Sequence, residues 1–185
     1  MSATLATETG NWTYDRYFAL DDDQRYEVIA GKLRLMPSPG LLHQMWVGEL
    51  FDIIRGHVRA AGAGHLFFSP VDVILDQENV VQPDLIYVSK ENSAILRPRG
   101  VFGPPDLAVE IVSPHHQSRD RVKKLRLYAR FGVREFWLVD PARRSIEVLA
   151  LRDGKYETHC RAVLSGVIRS AVLPGLSFDI PDVAL

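Results

Sequence analysis

A single carboxylate, Glu110, constrains this chain more than any other residue. It stands in DLAVEIVS (106–113), a run otherwise apolar enough to be a buried strand. Side chains alternate along a strand, so Ala108, Glu110 and Val112 share one face. A buried, unpaired carboxylate is costly or gives up its charge. The fold must therefore bring Glu110 a partner: a base, a set of hydrogen-bond donors or a metal ion. A closed structural ion pair would meet the same need.

The pattern around Glu110 alternates between strands and helices. A leader, 1–24, holds one short helix near Tyr14 to Ala19, and a single domain, 25–185, follows. RYEVIAG (25–31) and LRLMP (33–37) read as a hairpin turning at Gly31-Lys32. Apolar residues at Leu42, Trp46, Val47, Leu50, Ile53, Ile54 and Val58 predict a helix over 41–61. HLFFS (65–69), VDVIL (71–75) and VVQPDLIYVS (80–89) read as strands, and 90–105 as a loop. A helix over 118–132 separates DLAVEIVS from the strand REFWLVDP (134–141). SIEVLAL and KYETHC form a hairpin over Arg152-Asp153-Gly154, and short strands follow near 167–172 and 177–180. The order predicts a mixed α/β (α+β) fold, with helices packed on a central sheet.

Charge narrows the function. The 22 Lys and Arg nearly balance the 23 Asp and Glu, so bulk charge does not announce a nucleic-acid binder. Residues 119–134, however, carry seven bases and one acid. Such a stretch attracts a polyanion, or is simply a solvated helix face. The lone cysteine, Cys160, excludes an intrachain disulfide and fits a reducing, cytoplasmic setting. No secretory signal and no membrane-length apolar run is expected.

Two further acids are candidate partners. Asp84 opens a strand after Gln82-Pro83, where a turn former also belongs. Asp106 shares a face with Glu110, but four strand residues span about 13 Å, too far to share one metal. Carboxylates on adjacent strands lie only about 5 Å apart, so Asp84 suits Glu110 if their strands are neighbours. Glu27 shares a face with Arg25 and Ile29 and reads either as a third acid or as the wet side of a hairpin.

The basic helix offers two lysines. With Val122, Leu125 and Ala129 as its packed face, Lys123 falls on the wet side with Arg119, Arg126 and Arg130. Lys124 falls on the border near Tyr128, where its stem can lie on the core and its ammonium turn inward. Acids with one lysine form a kit for phosphodiester hydrolysis. Hard oxygen ligands (Asp84, Glu110 and the Ile111 carbonyl) favour Mg2+ or Mn2+. Such an ion activates water, and a nearby ammonium orients that water or stabilises charge at phosphorus.

QPDLIYVS, DLAVEIVSP and RDRVKKLRLYARFGVREFWLVDP together resemble the Uma-two family of restriction endonucleases, once a domain of unknown function, within the PD-(D/E)XK nuclease superfamily. RYEVIAGKLRLMPSPGLLHQ resembles the family's front end. The resemblance spans about residues 12–180. It implies a restriction-endonuclease-like central mixed sheet flanked by helices, with an added N-terminal hairpin and C-terminal strands. It places Asp84 and Glu110 as the superfamily's acids. Ile111 and Val112 follow Glu110, so the usual E-x-K lysine is absent, and the resemblance puts Lys124 in its role. Glu27 matches the family's N-terminal acid and His43 a further family position. His115 and His116 read as loop residues that could touch substrate.

The implied activity is a metal-dependent DNA endonuclease with no membrane partner. A homodimer would supply two active sites, with late strands and Trp137 as a contact. Trp46, Phe136 and Trp137 also read as packing residues, Arg143-Arg144 as a solvated turn and Asp140 as a strand-end cap. The competing readings are a nuclease-fold scaffold without turnover and a different carboxylate-bound metalloenzyme. The chain has no glycine-rich phosphate loop and no H-E-x-x-H.

Overall fold

The computed structural model describes residues 11–112 and 118–183, with only the backbone described at 118–121. His115 and His116 lie outside the described residues. The elements are α1 (Tyr14–Phe18), β1 (Tyr26–Ile29), β2 (Lys32–Leu35), α2 (Leu41–Ala61), β3 (Gly64–Phe68), β4 (Val73–Asp76), β5 (Asn79–Val81), β6 (Leu85–Ser89), β7 (Leu96–Arg97) and β8 (Gly100–Phe102). They continue as β9 (Leu107–Ile111), α3 (Ser118–Phe131), β10 (Glu135–Asp140), β11 (Ser145–Arg152), β12 (Lys155–Val163), β13 (Val167–Arg169) and β14 (Ser177–Asp179).

The mixed α/β class holds, but strands form two six-stranded sheets. The central sheet runs β12-β11-β10-β9-β6-β3, and the second runs β2-β1-β5-β4-β8-β7. In the central sheet only β9 and β10 pair in parallel, and α3 supplies the crossover that a parallel pair requires. One face of this sheet packs on the apolar stripe of α2, where Trp46, Leu50 and Ile54 are fully buried. The other face meets α3 and the second sheet through Ala108, Tyr128, Phe136, Val73 and Ile29. The far side of the second sheet is covered by Trp12 and Tyr14, so the described part of the leader, from residue 11 on, is seated there.

Several boundaries differ from the sequence reading, each for a local reason. The first hairpin turns at Ala30-Gly31, not Gly31-Lys32. Both turn residues have positive φ, the two-residue geometry that matches strand twist, and Ile29 pairs with Lys32. The run 80–89 is two strands rather than one. Pro83 has no N–H for a ladder, and Gln82-Pro83-Asp84 carries the chain from the second sheet to the central one. The segment read as a loop contains a 3-10 turn (Ser93–Ile95) and the β7–β8 hairpin. The buried face of α3 is centred on Lys124, Leu127 and Tyr128, whereas Val122 is exposed. Trp46, Phe136 and Trp137 are core residues. Trp137 is 0% exposed, which removes it as a subunit contact. Asp140 accepts from Arg143 N–H at 3.2 Å, the expected cap. Arg144 pairs with Asp182 at 2.8 Å. Among the described residues, no helix is long and apolar enough to cross a membrane.

A further buried carboxylate, unremarked in the sequence, fastens the C-terminal strands. Glu135 is 0% exposed. It accepts from Trp137 Nε1 at 2.6 Å, Ser170 Oγ at 2.7 Å, Val172 N–H at 3.0 Å and Ala171 N–H. Glu135→Ala strands these donors and is expected to cost about 3 kcal/mol or more. Chemical denaturation measures that loss, and limited proteolysis should then cut first within 164–183.

Candidate functional site

The β6–β9 pairing settles the distance between the two acids. Leu85 pairs with Val109 in an antiparallel ladder, so Asp84 stands opposite Glu110, one step beyond. Asp84 N–H donates to the Val109 carbonyl at 3.0 Å, and Ile111 N–H donates to Asp84 Oδ2 at 2.7 Å. Asp84 is thus clamped by backbone from both sides, an outcome of Pro83 turning the chain into the central sheet.

Lys124 enters from α3 and closes the cluster. Its Nζ lies 2.9 and 3.0 Å from the two oxygens of Glu110, and 2.7 Å from Glu27 Oε1. Glu27 comes from β1 in the second sheet, and one ammonium therefore bridges both sheets. Glu27 is 2% exposed, so the wet-face reading is corrected. Its Oε1 also accepts the Gln82 N–H at 3.0 Å. Tyr128, one helical turn beyond Lys124, donates its hydroxyl to Glu110 Oε1 at 2.7 Å.

Burial and charge set the protonation. Burial raises the Glu110 carboxyl to about 7; Lys124 opposes this, and the negative charges of Glu27 and Asp84 reinforce it. Burial would lower Lys124, but Glu110 and Glu27 outweigh it and raise its pKa, keeping it an ammonium. Burial, then the charge of Glu110, pushes Tyr128 well above the usual tyrosine range, so its hydroxyl remains a donor.

His43, in the first turn of α2, approaches from the opposite side of the central sheet. Its Nε2 lies 3.3 Å from Asp84 Oδ1, which joins it to the cluster. Burial opposes its protonation, but the hydrogen bond and charge of Asp84, and then the Ile111 carbonyl, raise its pKa overall. Its Nδ1 is buried with no hydrogen-bond partner among the described residues. Asp106 stands apart, holding Ser89 N–H at 2.8 Å and Arg134 at 3.1 Å.

The structure brings together Glu27, Asp84, Glu110, Ile111, Lys124 and His43. Sequence reasoning missed Gln82 and gave Tyr128 no role, although the four-residue spacing from Lys124 was the available signal for the latter. Among the described residues, no three His, Cys, Asp or Glu side chains form a ready metal-binding group. The donor chemistry nevertheless fits a hard divalent ion. Asp84 and Glu110 present carboxylates from opposed ladder positions, with the Ile111 carbonyl adjoining, and all three donors are oxygen.

Two outcomes follow for stability. Lys124→Met leaves Glu27 and Glu110 buried without a cation and is expected to cost about 3–5 kcal/mol. Adding Glu110→Gln should recover part of that loss in a denaturation cycle. The folded Glu110 carboxyl also titrates above its ordinary value of 4.5. The fold thus holds this proton more tightly than the unfolded chain. That contribution is complete below about pH 4.5 and fades as pH rises through about 7. Glu110→Gln should flatten this part of the stability–pH profile.

Comparison with known proteins bears on the family and the fold. Residues 13–181 match the family model Uma2, described as "Putative restriction endonuclease". A solved structure, "a putative nuclease belonging to DUF820" from Anabaena variabilis ATCC 29413, superposes with a TM-score of 0.67 at 20% identity. The match covers 79% of this chain and 83% of that one. No curated protein matches the chain.

Proposed function

The chain belongs to Uma2, the family described as "Putative restriction endonuclease", and on that premise we propose that it is a metal-dependent endonuclease hydrolysing DNA phosphodiester bonds. The observation that carries the reading is the placement of Asp84 opposite Glu110, with the Lys124 ammonium against Glu110 and Glu27. Asp84, Glu110 and the Ile111 carbonyl would hold Mg2+ or Mn2+. When bound, such an ion supplies an activated water and charge stabilisation at the phosphate.

This chain's own residues do the rest. Lys124, held charged, has no lone pair with which to take a proton, so its task is electrostatic: to steady negative charge building on the phosphate oxygens. Glu27 is a positioning residue that fixes the ammonium, and Gln82 N–H fixes Glu27. Tyr128 orients Glu110. His43, with its Nε2 3.3 Å from Asp84 Oδ1, is a positioning residue for that carboxylate. The exposed Arg126 and Arg130 on α3 suit the DNA backbone. A homodimer in the cytoplasm completes the reading, one centre for each strand.

A second reading, a DNA-binding scaffold dimer without turnover, draws on Lys124 already neutralising Glu110, one of the two carboxylates that would hold the ion. Cleavage of supercoiled and linear DNA decides between them. With Mg2+ or Mn2+, the wild-type chain should cut, and EDTA should stop it. Asp84→Asn, Glu110→Gln and Lys124→Ala should each lose at least about 100-fold in rate, while Lys123→Ala stays within about threefold. Binding without cleavage in any metal would favour the scaffold.

A further inference from the structure

A second polar constellation lies beside the cluster, in a cavity of about 400 Å³. It forms where the β7–β8 hairpin folds against the chain between β3 and β4. Its lining includes Phe67, Leu96 and Val101 as apolar wall, Asp72 and Gln82 as polar groups, and Arg97 and Arg99 as bases. That volume is within the range of small-ligand pockets, about 300–1,000 Å³. The hairpin is held tightly: Val101 N–H donates to the Asp72 carbonyl at 2.8 Å. At Gly100, with φ +150°, a Cβ would fall 2.6 Å from that same oxygen, so only glycine permits the approach.

Asp72 is prepared as an acceptor. Tyr17 OH and Gln82 Nε2 donate to its Oδ1 at 3.1 and 2.9 Å, and Oδ2 takes no hydrogen bond among the described residues. Arg25 spends its guanidinium on Gln82 Oε1 and Ser69 Oγ, so it braces Asp72 from one residue away. Arg97 and Arg99 are exposed and stack over Phe102 and Phe18 at 4.6 and 4.2 Å, which restricts where their charges lie. An acceptor and an apolar wall in the lining, with two exposed cations, together suit a nucleotide.

We propose that this cavity is a nucleotide subsite that takes one amino-bearing base of the nucleic-acid substrate. The base donates its exocyclic N–H to Asp72 Oδ2, lays its ring on Phe67 and Leu96, and directs its phosphate to Arg97 and Arg99. The assignment rests on the nuclease reading for its substrate class. Gln82 links the two centres, since its side chain positions Asp72 while its N–H holds Glu27.

The test is calorimetric titration of the full chain with dCMP and dUMP in EDTA, where no cleavage contributes. These nucleotides differ only at the edge offered to Asp72. We expect dCMP to bind at least tenfold tighter than dUMP, and Asp72→Asn to erase that preference. Arg97→Ala with Arg99→Ala should weaken both nucleotides alike; these exposed positions keep the test usable if Asp72→Asn fails to fold. Equal affinity for dCMP and dUMP, no binding of either, or binding indifferent to the arginine pair would overturn the subsite. DNA cleavage alongside any of those results would leave the nuclease reading standing. Selective dCMP binding without cleavage would support the pocket and count against that reading.

Discussion

One ammonium ties this molecule together. Lys124 sits between Glu27 of one sheet and Glu110 of the other, and each of those acids is too buried to stand alone. Mutual attraction in a dry interior offsets their desolvation only when the geometry is close and the remaining lone pairs are filled. Gln82 N–H and the Tyr128 hydroxyl fill them. The packing of the two sheets and the composition of the site are therefore one problem with one solution. A change that freed Lys124 would disturb both.

The arrangement also explains why the acids do not simply repel. Asp84 is held by the backbone of its neighbour strand and by His43, outside the reach of Lys124's hydrogen bonds. Glu110 takes the lysine and keeps an elevated carboxyl as the residue of that compromise. A cation arriving at Asp84 and Glu110 would meet carboxylates already positioned by strand pairing. It would compete with Lys124 for Glu110 but not for Asp84. Glu27 would retain the ammonium beside the pair.

Much of this was legible in the chain, and the failures are instructive. Glu110 announced itself because strand alternation leaves no room for a charge on a buried face. Helical geometry turns Lys124 rather than Lys123 inward, and its ammonium reaches Glu27 and Glu110, although the helix is rotated from that reading: Val122 is exposed and Lys124 lies near the centre of the buried face. Apolar periodicity cannot see a lysine that serves as a core residue, because its partners come from other elements. The split at Gln82-Pro83-Asp84 was hidden for a related reason. Pro83 was recognised, but a change of sheet is a tertiary event. Glu135 went unnoticed because its partners are backbone N–H groups of a distant turn, which carry no side-chain signature.

The central claim is that Asp84 and Glu110 form one cation site despite the lysine between the sheets. Mn2+ titration of the full chain, followed by electron paramagnetic resonance, addresses it most directly. The account predicts saturable binding at millimolar or lower Mn2+, tightening as pH rises through about 7, and weakened at least tenfold by either Asp84→Asn or Glu110→Gln. Absence of binding at millimolar Mn2+, or binding that survives both substitutions unchanged, would contradict it.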